Sequence, residues 1–273
     1  MLKVGYCRTD GPEDLSKSPA EHQATDRGTT AIKQKVSIMK KIVVFGLGMI
    51  ADVAYHHIVR DSAYEIAAFT CDREWFPHAL NSNVSRLGLQ VIPFDEIEHA
   101  YPPDRYAMFV AIGYHALNGV RADKCRQARE KGYELVSYMS KRADCGSWVD
   151  VGENCMILDG VGIQPGVTIG DNVSLWNNSL IGHHSVVESH CWIAAGTIIG
   201  GKATLRERCF VGLGATIGGD LTIGAESLIG AGALVTKDAA AKSVFVQRDT
   251  DLFRLDSQTF LRITKLATIG DSI

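Results

Sequence analysis

Residues 157–205 read ILDGVGIQPGVTIGDNVSLWNNSLIGHHSVVESHCWIAAGTIIGGKATL, and every sixth residue from Ile157 to Leu205 is aliphatic. Extended both ways, the column runs from Val151 to Val235 and holds only Val, Ile and Leu. A second column, four residues further on, is slender: Cys155, Val161, Val167, Val173, Ser179, Ser185, Cys191, Thr197, Ala203, Cys209, Ala215, Leu221, Ser227 and Ala233, with Leu221 its one bulky member. Glycine often follows the aliphatic residue directly, as at Gly170, Gly182, Gly200 and Gly218. A period of six is neither the 3.6 of an α-helix nor the 2 of a lone strand. One large and one small inward residue per six describes a flat face of about four residues and a corner of about two, so that three faces close a triangular coil of about eighteen. Coils stacked at about 4.8 Å let each backbone group bond to the coil above and below, and this column makes four to five coils, roughly 22 Å tall. Cys155, Cys191 and Cys209 fall in the slender column and read as core filling.

Upstream the texture is different. In KKIVVFGLGMIADVAYHHIVRDSAYEIAAFTCDRE, residues 40–74, an apolar strand, a Gly-rich turn, a helix, a second strand and an acidic residue follow in order, which is a βαβ start. RYAMFVAIGY supplies another buried strand, VRADKCRQAREKG a helix closed by Gly132, and YELVSYMS a further strand. The expected organisation is a polar, disordered tail at 1–38, a small Rossmann-like α/β domain at 39–140, a β-helix at 145–236 and a capping segment at 237–273. The last has a strand at 244–246 and an amphipathic helix at 257–266. The α/β domain is expected to cover one open end of the β-helix and the C-terminal segment the other.

Composition narrows the function classes. The 28 Lys and Arg against 31 Asp and Glu, net charge -3, advertise no polyanionic partner, so nucleic acid is not expected. No apolar run approaches the length of a membrane span and no basic-then-apolar leader opens the chain, which predicts a cytoplasmic protein without membrane association. The seven cysteines are scattered and include no Cys-x-x-Cys pair, which speaks against a disulfide framework or a zinc knuckle.

His183, His184 and His190 crowd within eight positions, and three readings stand beside one another. They are metal ligands, a proton-transfer centre, or solvated corner residues. In coil arithmetic His183 lies between Pro165 and Gly201, His184 between Gly166 and Lys202, and His190 between Asn172 and Arg208. A catalytic zinc needs three converging protein ligands, whereas these histidines divide between two corners. The missing side chain at Gly201 opens a slot above the His183 imidazole. A backbone N–H there can hold a developing oxyanion while the imidazole takes a proton, which suits acyl transfer. In the α/β domain, Gly46-x-Gly48-x-x-Ala51 between strand and helix lets a phosphate approach a helix N-terminus, and Asp72 ends the second strand. Taken alone, the pattern suggests a nicotinamide dinucleotide site, with a purely structural glycine turn as the alternative. Gly113, His115 and Arg121 border the same region, Arg121 as a phosphate partner.

The stretch NNSLIGHHSVVESHCWIAAGTIIGG, residues 177–201, is similar to the active-site coil of the hexapeptide-repeat bacterial sugar acetyltransferases, which include UDP-4-amino-sugar N-acetyltransferases and sialic-acid O-acetyltransferases. The resemblance covers 39 to about 236 and implies a left-handed parallel β-helix following the α/β domain. It implies an acetyl-CoA-dependent transferase acting on an amine or hydroxyl of a nucleotide-linked sugar in surface-glycan biosynthesis, with no metal, in a homotrimer. His183 would be the general base and Gly201 the thioester-facing residue. Acetyl-CoA would lie in the cleft between neighbouring β-helices along Ala195, Gly196, Gly201 and Gly219. The sugar nucleotide would be held by Gly46, Gly48, Asp72, Trp176 and Asn178. Two positions depart from the pattern. The family carries Asp or Glu where this chain has His184, so either Glu188 or a residue of a neighbouring subunit substitutes, or His184 is itself the base. The family's Asn is Trp176 here, followed by Asn177 and Asn178, which implies a different acceptor unless the asparagines merely suit a corner. A metal-dependent hydratase of the γ-carbonic-anhydrase type and a noncatalytic trimeric nucleotide-binding protein are the rival readings.

Overall fold

The computed structural model describes residues 39–76 and 85–264; the expected tail at 1–38 lies outside the described residues. Strand β1 (Lys40–Phe45), helix α1 (Met49–Asp61) and strand β2 (Tyr64–Cys71) form the expected βαβ unit. They are followed by β3 (Ser85–Arg86), β4 (Leu89–Pro93), the short helix α2 (Ile97–Ala100), β5 (Ala107–Val110) and α3 (Gly119–Glu130). The sheet order is β3-β4-β2-β1-β5, parallel except for the β3–β4 hairpin. Strand β4 is five residues long and Pro93 is its last, where a missing N–H is tolerated. Apolar β1 and β5 are buried throughout most of their length because helices cover both faces of the sheet, with α1 on one core and α3 on the other.

The segment expected as a further strand of this domain joins two systems. Glu134–Val136 pairs beside Met108 of β5, through Met108 N to Glu134 O at 2.9 Å and Val136 N to Met108 O at 3.0 Å. Tyr138–Met139 then pairs with Met156–Ile157 as the first rung of the coil. From there two-residue strands stack into three parallel sheets of seven, six and five strands. Partners are eighteen residues apart, as in Ser174 with Trp192, Leu180 with Ile198, and Thr168 with Val186. The coil is longer than the aliphatic column. Rungs at Tyr138–Met139 and Asp144–Cys145 precede it, and Val244–Phe245 pairs with Leu228–Ile229 after it. Met139 and Cys145 hide the start from a Val/Ile/Leu pattern. The final turn is two residues short, with Ile223 bridging Ala239, which hides the end.

The two inward columns form one core, from Cys155 and Ile157 to Ala233 and Val235. The thiols fill it as expected: Cys155, Cys191 and Cys209 are fully buried, and their Sγ atoms donate to the carbonyls of Gly170, Arg206 and Gly224. Each corner turns through one left-handed residue, such as Asn172, Asn178 and His184 with φ near 57°, a conformation that Asn adopts at low cost.

The α/β domain packs along one face of the coil instead of capping its end. On this seam face the outward residues Tyr138, Met156, Ser174 and Trp192 are buried, and Met156 and Leu158 belong to the same core as β1 and α1. The next face in the chain leaves Ile198 and Leu234 about half exposed or more, at 46% and 66%. Edge strand β5 would carry orphan backbone groups at the seam. The Asn154 side chain pairs with both backbone groups of Val110, accepting at 2.7 Å and donating at 3.1 Å. Helix α4 (Ser257–Thr264) forms inside the expected span, but none of its residues is buried, so it does not seal the far end.

Of the hydroxyls in the slender column, Ser185 donates to Gly200 O at 2.9 Å and accepts from Ala203 N at 3.1 Å, whereas the buried Ser179 Oγ has no partner. Ser179→Ala should therefore stabilise the chain by about 1 kcal/mol, and Ser185→Ala should cost about 1–3 kcal/mol. Opposite shifts of the thermal unfolding midpoint check both.

Candidate active site

Three histidines that are close in sequence part company in the coil. His190 stands at the corner between the third face and the seam face. Its Nδ1 accepts from Asn172 Nδ2 at 2.9 Å. Asn172 Oδ1 accepts from Arg121 Nε at 2.8 Å and from Asn154 Nδ2 at 3.0 Å. Burial, with Arg121 nearby, holds the His190 pKa below the usual imidazole value. It is a neutral acceptor in a buried ladder, and acidification weakens the fold there because the unfolded chain takes up the proton first.

Arg121 was expected to meet a phosphate. It is instead 2% exposed, and its guanidinium also donates to the carbonyls of Asn172 and Ile112 and lies 5.3 Å over the Trp192 ring. It ties α3 to the seam. Position in the fold, not residue type, decides its use.

His183 and His184 sit at the corner between the second and third faces, opposite the seam, and both are exposed. The His183 N–H donates to Gln164 Oε1 at 2.9 Å, and its carbonyl accepts from Lys202 N at 2.7 Å. The Nδ1 atoms of the two rings are 3.2 Å apart, and the rings are edge-on at 79°. His183 reaches toward the coil above. A Cβ on Gly201 would stand 2.6 Å from Nε2 and 2.7 Å from Cε1, so only glycine leaves the ring in place. The Gly201 N–H has no protein acceptor among the described residues. Gly219 continues the column past Gly201, and Lys237 stands at its exposed end. Glu188, one candidate to orient His183, is spent elsewhere: it binds Arg206 Nη1 at 2.6 Å and Glu207 N at 3.0 Å.

The remaining expected residues lie apart from this corner. Trp176, Asn178, Ala195 and Gly196 flank the corner between the seam and second faces. Trp176 packs at a tilt against Trp192, with centroids 5.1 Å apart, and its Nε1 is buried without a partner. Asn178 is exposed, and a Cβ on Gly160 would meet its Oδ1. Gly46, Gly48 and Asp72 come together at the carboxyl ends of adjacent strands β1 and β2, with Gly113 after β5 on the other side of β1. Gly46 answers a structural demand, since a Cβ would stand 2.6 Å from Ala111 O at a φ of 127°. Beside Gly48 the space is open, and it precedes α1 with no side-chain cap. Asp72 is engaged by Lys124 Nζ at 2.7 Å. Of these three patches, the Trp176 corner packs against the same core as Leu47 and Ile50, next to Gly46 and Gly48, and the His183 corner stands apart from both. Gln164 and Lys237 were missed, although the eighteen-residue stacking places them beside Gly182 and Gly219. Among the described residues no three His, Cys, Asp or Glu side chains gather as a metal site, and no helix is long and apolar enough to cross a membrane.

A family model described as bacterial transferase hexapeptide (six repeats) matches residues 149–183. No curated protein matches the chain. Among solved structures, PerB from Caulobacter crescentus in complex with CoA and GDP-perosamine is 26% identical, with a TM-score of 0.65 over 75% of this chain and 92% of that one. A histidine-to-asparagine mutant of perosamine N-acetyltransferase from the same organism, also with CoA and GDP-perosamine, is 25% identical with a TM-score of 0.66 over the same shares. The acetyltransferase domain of PglB from Neisseria gonorrhoeae FA1090, in complex with acetyl coenzyme A, shares the fold at 22% identity and a TM-score of 0.66, over 75% of this chain and 95% of that one.

Asn172 holds the seam together through Arg121, Asn154 and His190. Asn172→Ala should leave these partners unsatisfied and cost about 3 kcal/mol, read as a drop in the unfolding midpoint.

Proposed function

We propose that the chain is a hexapeptide-repeat sugar acetyltransferase, with a left-handed parallel β-helix behind an α/β domain, and that it moves an acetyl group from acetyl-CoA to the amine of a nucleotide-linked sugar, a reading supported by the repeat match and the similar solved structures. The observation that carries this reading is the His183 imidazole, with Nε2 under the gap left by Gly201 and an unpaired Gly201 N–H beside it. The acceptor amine attacks the thioester carbonyl carbon, and the carbonyl electrons move onto oxygen, where the Gly201 N–H stabilises the anion. His183 Nε2 takes the amine proton. The intermediate collapses with cleavage of the C–S bond, and the thiolate leaves to take that proton from His183 as coenzyme A is released. Gly201 and Gly219 leave room for the pantetheine arm, with Ala195 and Gly196 of a neighbouring copy as its other wall, and Lys237 meets a phosphate.

The sugar nucleotide belongs at the carboxyl edge of β1 and β2, where the open side of Gly48 and the free end of α1 suit its phosphates. That domain lies on the seam face and His183 on the opposite corner, so the acceptor must reach the base of another chain. The exposed Ile198 and Leu234 beside the His183 corner support a contact between copies, and a homotrimer brings the three patches into one cleft. Assembly of a surface glycan in the cytoplasm is the role this chemistry fits.

Release of coenzyme A thiol, with UDP-, GDP- and dTDP-linked amino and neutral sugars as acceptors, tests the reaction. Turnover with one amino sugar is expected. His183→Ala should lower kcat by about 10²–10⁴-fold, and Lys237→Ala should raise the KM for acetyl-CoA with little change in kcat. No turnover with any acceptor, or full activity of His183→Ala, sinks the reading. Light scattering should give a trimer for the native chain, and Ile198→Glu should shift it toward monomer with loss of activity.

A further inference from the structure

We propose that His184 is a positioning residue for His183, a neutral hydrogen-bond acceptor that holds the base in its productive tautomer. The inference rests on the reaction proposed above but concerns a different atom. Two imidazoles whose Nδ1 atoms stand 3.2 Å apart share one proton between them when both are neutral. If His183 Nδ1 carries it, Nε2 beneath Gly201 keeps its lone pair and is a base. If His184 Nδ1 carries it, His183 is protonated at Nε2 and is inert as a base. Taking up the substrate proton is compatible only with the first arrangement, because the imidazolium then donates its Nδ1–H to His184.

The surroundings prepare this contact. A Cβ at Gly166 would lie 2.8 Å from His184 Cδ2, as a Cβ at Gly201 would collide with His183, so glycines one coil below and one coil above accommodate the two rings. The His184 N–H is held by Pro165 O at 3.1 Å, and φ of 57° fixes the turn that points the rings at each other. Gln164, Pro165 and Gly166 below bring no charge. Lys202 is the charged residue at the same corner one coil above, and Glu188 on the third face is already paired with Arg206. Among the described residues nothing else takes the orienting place.

A neutral acceptor differs measurably from an anionic one. The test compares wild type, His184→Gly, His184→Gln and His184→Glu in coenzyme A release with the active acceptor, across pH. Glycine suits the left-handed corner, so its loss of function is not a backbone effect. His184→Gly should lower kcat about ten- to a hundredfold with the KM for acetyl-CoA within about threefold. His184→Gln, whose Oε1 accepts, should recover most of kcat. His184→Glu should recover kcat but move the acid limb of the kcat profile upward by about one pH unit, because a carboxylate favours the imidazolium. Wild-type kcat in His184→Gly, or an acid limb unmoved in His184→Glu, overturns the proposal while leaving His183 as base. Absence of turnover in wild type defeats the proposed reaction instead. Imidazole ¹⁵N spectra then decide alone: an Nδ1–H tautomer at His183 in the wild type that is lost in His184→Gly supports the pair, and an Nε2–H tautomer in the wild type refutes it.

Discussion

The whole molecule depends on the backbone ladder between successive coils. Each rung stacks on the rung eighteen positions later, its N–H groups reaching carbonyls seventeen residues on, as Trp176 N does to Ile193 O at 2.9 Å and Gly200 N to Ile217 O at 2.8 Å. Because every buried N–H and C=O must find a partner, the coil cannot slip by even one residue without orphaning them. That constraint makes neighbours at plus and minus eighteen more consequential than neighbours in sequence. It places Gly201 against His183, Gly166 against His184 and Cys209 beside Cys191, and it makes a side chain added at a glycine felt one coil away.

A second constraint acts where the sheet of the α/β domain ends. Strand β5 is an edge that must be both satisfied and covered, and the corner amides of Asn154 and Asn172 do this with help from Arg121 and His190. Once that face is committed to the seam, Tyr138, Met156 and Trp192 become core residues although they point outward from the coil. The opposite corner, with its two histidines, is left accessible. One docking event therefore chooses which of three similar corners is free for chemistry.

The free corner combines rigidity with access. The left-handed His184, flanked by ladder hydrogen bonds, has little freedom to move, and Gly166 below and Gly201 above leave room for the two rings. Held this way, the proposed base would need no entropy of orientation during the reaction. The same rigidity explains why the proposed site spans copies: a single prism cannot bend its own corner toward a domain bound to its far face.

The repeat, the inward columns, the burial of the three cysteines and the stacking of His183 under Gly201 were all determined by the sequence alone, because a period of six closing into eighteen leaves each position one neighbour above and one below. Gln164 and the engagement of Glu188 by Arg206 follow from the same arithmetic, nineteen and eighteen residues apart. The first and last turns were hidden where Met139 and a two-residue deletion break the pattern. Only tertiary structure decided the rest. Arg121 looked like a phosphate ligand and is a buried strut, and His190, which the stacking already sets at a different corner from His183, is a neutral acceptor in the seam. The cause in both is contact between segments far apart in the chain, Arg121 meeting Asn172 and Cys191 across the seam. Which face the α/β domain covers follows from matching an edge strand to two corner amides, and a one-dimensional pattern carries no record of that match.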